Sequence, residues 1–232
     1  MKIIKRPLQI AIDGPIGVGK SSLAYLLARK LGLTYIYTGA MYRTVAFLAL
    51  TNNIALNDER SIMFFLKKSK IELKPPSKPE RYTDVYLNNQ NITNKLFTQE
   101  TTLAVAQTSK LKEVRNYLVK IQQKLSRSCS VVMEGRDIGT KVLPKADLKI
   151  FLTATLEIRA KRRWRQLKEI GKLRPFAEIL GETKERDEDD ISRRESPLRK
   201  ASDAWVLDTT NITIPATLKL VLAKLKEKKL VD

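Results

Sequence analysis

One stretch leaves this chain few folds to choose from. An apolar, β-branched run, LQIAID (8–13), meets GPIGVGKSS (14–22), and LAYLLA (23–28) follows with helical composition and spacing. Glycines between a buried strand and a helix predict a strand–loop–helix unit, the context in which a glycine-rich loop cradles phosphate. Gly14, Pro15, Ile16, Gly17, Val18, Gly19, Lys20 and Ser21 fit the full G-x-x-x-x-G-K-[ST] pattern, and Ser22 extends it. The glycines let backbone N–H groups converge on a β-phosphate at a helix N-terminus. Lys20 is then expected at the β/γ oxygens of ATP, and the Ser21 hydroxyl on Mg²⁺. The pattern implies nucleotide binding without choosing a reaction.

Composition narrows the chemistry. The chain has 232 residues and no histidine, so histidine bases and imidazole metal sites are excluded, and carboxylates, lysine, arginine and backbone amides must serve. A single cysteine, Cys129, excludes an internal disulfide and suits a reducing cytoplasm. Residues 1–7 run straight into the first strand, leaving no room for a signal peptide, and no apolar run is long enough for a membrane span. The net charge of +19, from 44 basic and 25 acidic residues, suits a polyanion: nucleic acid or a phosphorylated small substrate. Equally, much of the lysine can be scattered solvation, as in the amphipathic stretch 219–229.

Along the chain, a short strand, a turn at Gly39 and a second helix follow the phosphate loop. Residues 57–100 are polar, with KPPSKPE as a loop and YTDVYLNN as alternating strand, and read as a small inserted antiparallel subdomain. Residues 101–127 read as one helix, with Val105, Leu111, Val114, Leu118 and Ile121 on its apolar face. SVVMEGRD (130–137), ADLKIFLTA (146–154) and AWVLDTT (204–210) read as further strands, and a last helix closes the chain. Strands alternating with helices predict an α/β fold with a doubly wound parallel sheet.

Three clusters join the loop as candidate chemistry. The strand ending in Glu134-Gly135-Arg136-Asp137 carries charge to a sheet's carboxyl edge, where α/β ligands bind. The stretch 158–174 holds Arg159, Arg162, Arg163, Arg165 and Arg174, whose planar forks suit phosphate oxygens, although a plain basic helix or a nucleic-acid stripe has the same look. Trp164 is its one aromatic residue, which gives base stacking little support. In KERDEDDISRRESP (184–197), Asp190 and Arg193 share a helix face, as they also would on a merely solvated charged helix.

Taken together, the phosphate loop, TGAMYR (38–43), EGRDIGT (134–140), KIFLTA (149–154), KERDEDD (184–190) and VLDTT (206–210) resemble the bacterial cytidylate kinases, a family of nucleoside monophosphate kinases. The resemblance runs from Ile10 to about Asp208. It implies a single domain with a parallel-sheet P-loop core flanked by helices (1–63 and 102–232), an inserted NMP-binding subdomain at about 64–101, and an arginine-rich lid at about 158–174. It also implies that Thr38, Tyr42, Arg43 and Arg115 hold CMP or dCMP. Arg136 and Asp137 meet cytosine and sugar or phosphate, Asp190 and Arg193 contact ribose and phosphate, and Arg162, with Arg163, covers the transferred group. Two positions depart from the family pattern. Thr38-Gly39 stands where Ser-Gly is usual, and Ala106 stands where a serine is frequent, leaving a pyrimidine contact absent or supplied by Thr108 or Ser109.

The expected reaction is attack of a CMP phosphate oxygen on the γ-phosphoryl group of ATP. That nucleophile is already an anion, so a chain without histidine lacks nothing it needs. The expected partners are ATP with Mg²⁺, CMP and dCMP, acting in a cytoplasmic monomer with neither nucleic acid nor membrane. Two alternatives stay open on the residues alone: a P-loop kinase for another acceptor, such as UMP or shikimate, and a non-catalytic ATP-binding module associated with nucleic acid.

Overall fold

The computed structural model describes residues 7–78, 81–169 and 171–232. Residues 1–6, read as running straight into the first strand, lie outside the described residues, as do Pro79 and Glu80 of the KPPSKPE loop and Ile170 of the arginine stretch.

The chain forms two compact units, one made of the residues up to Thr34 with Cys129–Asp232, the other of Tyr35–Ser128. Strand β1 (Gln9–Asp13) is the middle of a five-stranded sheet in the order β2–β6–β1–β7–β8, with β2 at Thr34–Tyr37, β6 at Val131–Gly135, β7 at Leu148–Thr153 and β8 at Trp205–Asp208. The pairs β1–β6, β1–β7 and β7–β8 are parallel. Such central strands are covered on both faces, and this is why Ile10, Ala11 and Ile12 of β1 and Val131, Val132 and Met133 of β6 are all apolar and fully buried. The order puts β6 and β7 on opposite sides of β1, so the strand ends beside β1 flank a point where connections diverge, the usual ligand edge of an α/β sheet.

Helix α1 (Lys20–Leu31) begins at Gly19 and stops at Gly32, both in the left-handed region, with Arg29 and Lys30 in its last turn complementing the carbonyl end of the dipole. Helices α6 (Leu156–Glu169) and α7 (Phe176–Ser192) pack together, and α8 (Ile214–Glu227) is capped by Thr213. α8 buries Thr217, Val221 and Leu225 at four-residue spacing and leaves Lys219 in water, as its amphipathic pattern requires.

In the second unit, α2 (Thr38–Thr51), α3 (Glu59–Lys68), α4 (Gln99–Thr108) and α5 (Lys112–Ser128) share a core built on Met41, Val45, Ile62, Leu66, Val105, Val114 and Leu118. Strands β3 (Ile71–Lys74), β4 (Asp84–Leu87) and β5 (Gln90–Asn91) form the antiparallel sheet expected in this region, with Ile71 opposite Leu87 and Lys74 opposite Asp84.

Two local expectations need correction. Gly39 is not a turn: α2 starts at Thr38, and a Cβ on Gly39 would lie 2.7 Å from the Tyr37 ring, so close packing explains the glycine. The helix read over 101–127 is two helices, broken after Thr108. There the Leu111 amide reaches back to Thr108, and the Arg115 guanidinium caps the break by donating to the Ser109 carbonyl at 3.0 Å. The arginine stretch 158–174 lies on α6 and the connection to α7, and α7 supplies carboxylates to two of its arginines. Asp187 pairs with Arg159, and Glu178 and Glu182 pair with Arg174.

Candidate active site

In the first unit the phosphate loop joins β1 to α1. Gly14 and Gly17 are glycine for two reasons at once. Their φ angles of 150° and 74° disfavour side chains, and a Cβ would run into the Leu152 carbonyl at Gly14 and, at 2.9 Å, the Arg159 carbonyl at Gly17. Arg159 has a role of its own that its place in the arginine run did not reveal. Its buried guanidinium donates to the Ala154 carbonyl at 3.0 Å and to the loop's Ile16 carbonyl at 3.1 Å, while pairing with Asp187 at 2.6 Å. It thereby ties the loop to α6 and α7. Its signal was only its membership of an arginine-rich run.

Lys20 lies buried at the end of the loop. It is 6% exposed, and its ammonium donates to the Pro15 carbonyl at 2.6 Å. Burial, with a further push from Arg136, pulls its pKa from 10.5 down to about 7, against the opposing charges of Glu134, Asp190 and Asp13. Those same groups define what surrounds it. Ser21, next along the helix, donates its hydroxyl to Glu134 Oε1 at 2.9 Å, at the buried end of β6. A hydroxyl and a carboxylate side by side are hard oxygen donors of the kind Mg²⁺ takes together with substrate phosphates, so these residues fit the ion that the loop motif implies.

One residue past β6, Arg136 leaves the sheet and meets Asp190 of α7, Nε to Oδ2, at 2.6 Å. Arg193, just beyond the end of α7, approaches the other oxygen at 3.5 Å, and Arg186 does so at 3.7 Å. Burial pushes the Asp190 carboxyl up, but the three guanidiniums outweigh it and hold it below the ordinary carboxylate range. Arg136, Asp190 and Arg193, picked out in sequence, are thus brought together, with Arg186 as an unforeseen fourth member. Asp137 is buried at the start of a single π-helical turn, Ile138–Val142. Arg162 goes elsewhere: its guanidinium donates to the hydroxyl and the carbonyl of Thr209 and to the Ile212 carbonyl, beyond the end of β8. Arg163 lies on the exposed side of α6, bonded to Gln166.

In the second unit, Thr38 and Tyr42 lie buried at the start of α2. Arg43 donates to the Leu96 carbonyl at 3.0 Å and the Thr102 hydroxyl at 2.9 Å, with its guanidinium 5.2 Å from the Phe97 ring centre. The buried Arg115 guanidinium lies 5.0 Å from the centre of the Tyr42 ring. Of the two hydroxyls considered in place of a serine at Ala106, Thr108 is buried and turned back on the Ala104 carbonyl, as helical threonines commonly are.

A glycine-rich loop between a central parallel strand and a helix, with a lysine and a hydroxyl at its end and arginine–carboxylate pairs at the neighbouring strand end, defines a P-loop phosphotransferase. The family model for cytidylate kinase matches residues 10–227. This chain belongs to the cytidylate kinase family. It is similar to the cytidylate kinase of Caldicellulosiruptor saccharolyticus, 46% identical over 217 residues that cover 94% of this chain and 95% of the relative. The cytidylate kinase of Carboxydothermus hydrogenoformans is also 46% identical, over 95% of this chain and 96% of its own length. No helix among the described residues is long and apolar enough to cross a membrane.

Proposed function

We propose that this protein transfers the γ-phosphoryl group of ATP to CMP or dCMP, yielding ADP and CDP or dCDP. A phosphate oxygen of the acceptor attacks the γ-phosphorus in line, and the bond from that phosphorus to the β,γ-bridging oxygen breaks, its electron pair leaving with ADP. No proton need be removed from the nucleophile, so positioning and charge neutralisation are the whole task. The observation that supports this most is the meeting of Lys20, Ser21 and Glu134 with the Arg136–Asp190–Arg193 group in one unit of a chain from this family.

In this reading the amides of residues 14–22 hold the ATP phosphates. Lys20 swings from the Pro15 carbonyl to the β/γ oxygens and regains its proton as phosphate charge arrives. Ser21 and Glu134 would hold Mg²⁺, which when bound would neutralise phosphate charge. Arg136, Asp137, Asp190 and Arg193 serve the acceptor, a role that the family resemblance also gives to Thr38, Tyr42, Arg43 and Arg115, and residues 64–101 form the monophosphate-binding subdomain. The stretch 158–174 acts as a lid. For Arg162 to reach the transferred group it must first exchange its Thr209 bonds for phosphate oxygens.

The test is a steady-state panel with ATP and Mg²⁺ against CMP, dCMP, UMP, AMP and shikimate. CMP and dCMP are expected to lead in kcat/KM. Equal use of UMP, AMP or shikimate overturns the assignment.

A further inference from the structure

Asp13 closes β1 immediately before the phosphate loop, and none of the chemistry above gives it a task. It is buried, and its two carboxylate oxygens are both engaged across the sheet: Oδ1 accepts the Ile138 amide at 2.8 Å, and Oδ2 accepts the Gly139 amide at 2.7 Å. These are the leading donors of the π-helical turn Ile138–Val142, groups that a helical turn cannot satisfy internally. The residue at the cap position of that turn is Asp137, and it makes no side-chain cap bond. Capping is done instead from another strand, by Asp13. The ladder makes this possible, because Asp13 pairs with Gly135 and its side chain therefore reaches the residues just past β6.

Stability alone does not explain a carboxylate here. Burial, aided by Asp137, pushes Asp13 up to about 6 despite the two amide bonds, so the ionised group is held in an unfavourable place. Two convergent N–H donors do ask for two acceptor oxygens, which a carboxylate has and an amide lacks. We propose that Asp13 is a positioning residue for the acceptor: by capping the 138–142 turn it sets Arg136 and Asp137, and it couples their placement to the root of the phosphate loop. This rests on the reading that Arg136 and Asp137 serve CMP.

The experiment compares Asp13→Asn with Gly139→Ala and Asp137→Ala, measuring KM for CMP and for ATP, kcat, and the denaturation midpoint of each protein. Asp13→Asn loses one of the two acceptors, and KM for CMP should rise about tenfold, the usual scale for a hydrogen bond to a charged group, with KM for ATP changed less than about twofold. A merely structural role would leave the two KM values in proportion, whatever the change in stability. Gly139→Ala keeps the carboxylate and disturbs the same contact from the other side. Its Cβ would lie 3.3 Å from Asp13 Oδ2 and 3.2 Å from Lys149 Cδ, and its KM for CMP should rise in the same direction. If Asp13→Asn fails to fold, Gly139→Ala decides the matter alone. Unchanged KM for CMP in the folded variants, or equal rises for both substrates, overturns the proposal. If Asp137→Ala also leaves KM for CMP unchanged, the acceptor reading of this turn falls together with it. An effect from Asp137→Ala alone overturns only the role of Asp13.

Discussion

Replacing Lys20 with methionine should destroy turnover and stabilise the fold. The wild-type ammonium is buried, and its pKa falls from 10.5 in the unfolded chain to about 7 in the folded one. At pH 7 the unfolded lysine is fully charged and the folded one is half neutral. By linkage, that difference destabilises the native state by about 4 kcal/mol. Methionine has similar length and no charge to desolvate, but it abandons the Pro15 carbonyl, a loss of about 1–2 kcal/mol. The net expectation at pH 7 is a gain of about 2–3 kcal/mol. The sign has a pH signature. Between pH 7 and 10.5 the unfolded wild type binds more protons than the folded form, so wild-type stability climbs with pH while the variant lacks that slope. At pH 9 the wild-type penalty falls to about 2 kcal/mol, and the gap should nearly close. Urea denaturation of nucleotide-free protein at pH 7 and pH 9, in phosphate-free buffer, measures both gaps. Turnover should drop below about a tenth of wild type, since the lysine's charge is aimed at the migrating group. A variant no more stable than wild type at pH 7, or a gap that ignores pH, refutes the reasoning.

Asp190→Ala leaves Arg136, Arg186 and Arg193 without the carboxylate they share; it should cost about 3–5 kcal/mol in a denaturant titration and raise KM for CMP more than KM for ATP. Because the folded pKa of Asp190 is depressed, its contribution in the wild type is present above the ordinary carboxylate value and lost as pH falls below it, so Asp190→Ala should lack that acid-side loss; parallel acid-unfolding curves for the two proteins would contradict this. Gly39→Ala puts a methyl 2.7 Å from the Tyr37 ring and should destabilise the protein by about 1–3 kcal/mol; a change below about 0.3 kcal/mol, read from denaturant midpoints, would contradict the packing account. Hydrogen exchange across 158–174 should slow with an ATP analogue plus CMP more than with either alone, because the exposed Arg174 pairs with Glu178 and Glu182 are weak ties that phosphates can replace; unchanged protection removes the lid role of Arg162 and Arg163.

What the linear order determines here is what repeats locally or recurs as a motif. The phosphate loop was legible because its geometry is carried by consecutive residues, and the buried strands because a parallel strand must be apolar on both faces. The acceptor-side charges could be named from EGRD and KERDEDD, yet nothing in those strings says that Arg136 meets Asp190 across 54 positions, or that Arg186 joins them. The split of 101–127 was hidden because the apolar spacing of Val105, Leu111 and Val114 continues through the break. Only folding decided the rest. The sheet buried Lys20 and shifted its proton equilibrium, α7 neutralised arginines that look unpaired in sequence, and the β1–β6 register brought the Asp13 carboxylate to two amides 125 and 126 residues away. Local sequence specifies backbone conformation; solvation and charge partnership depend on which distant residues arrive, and only the tertiary structure fixes those.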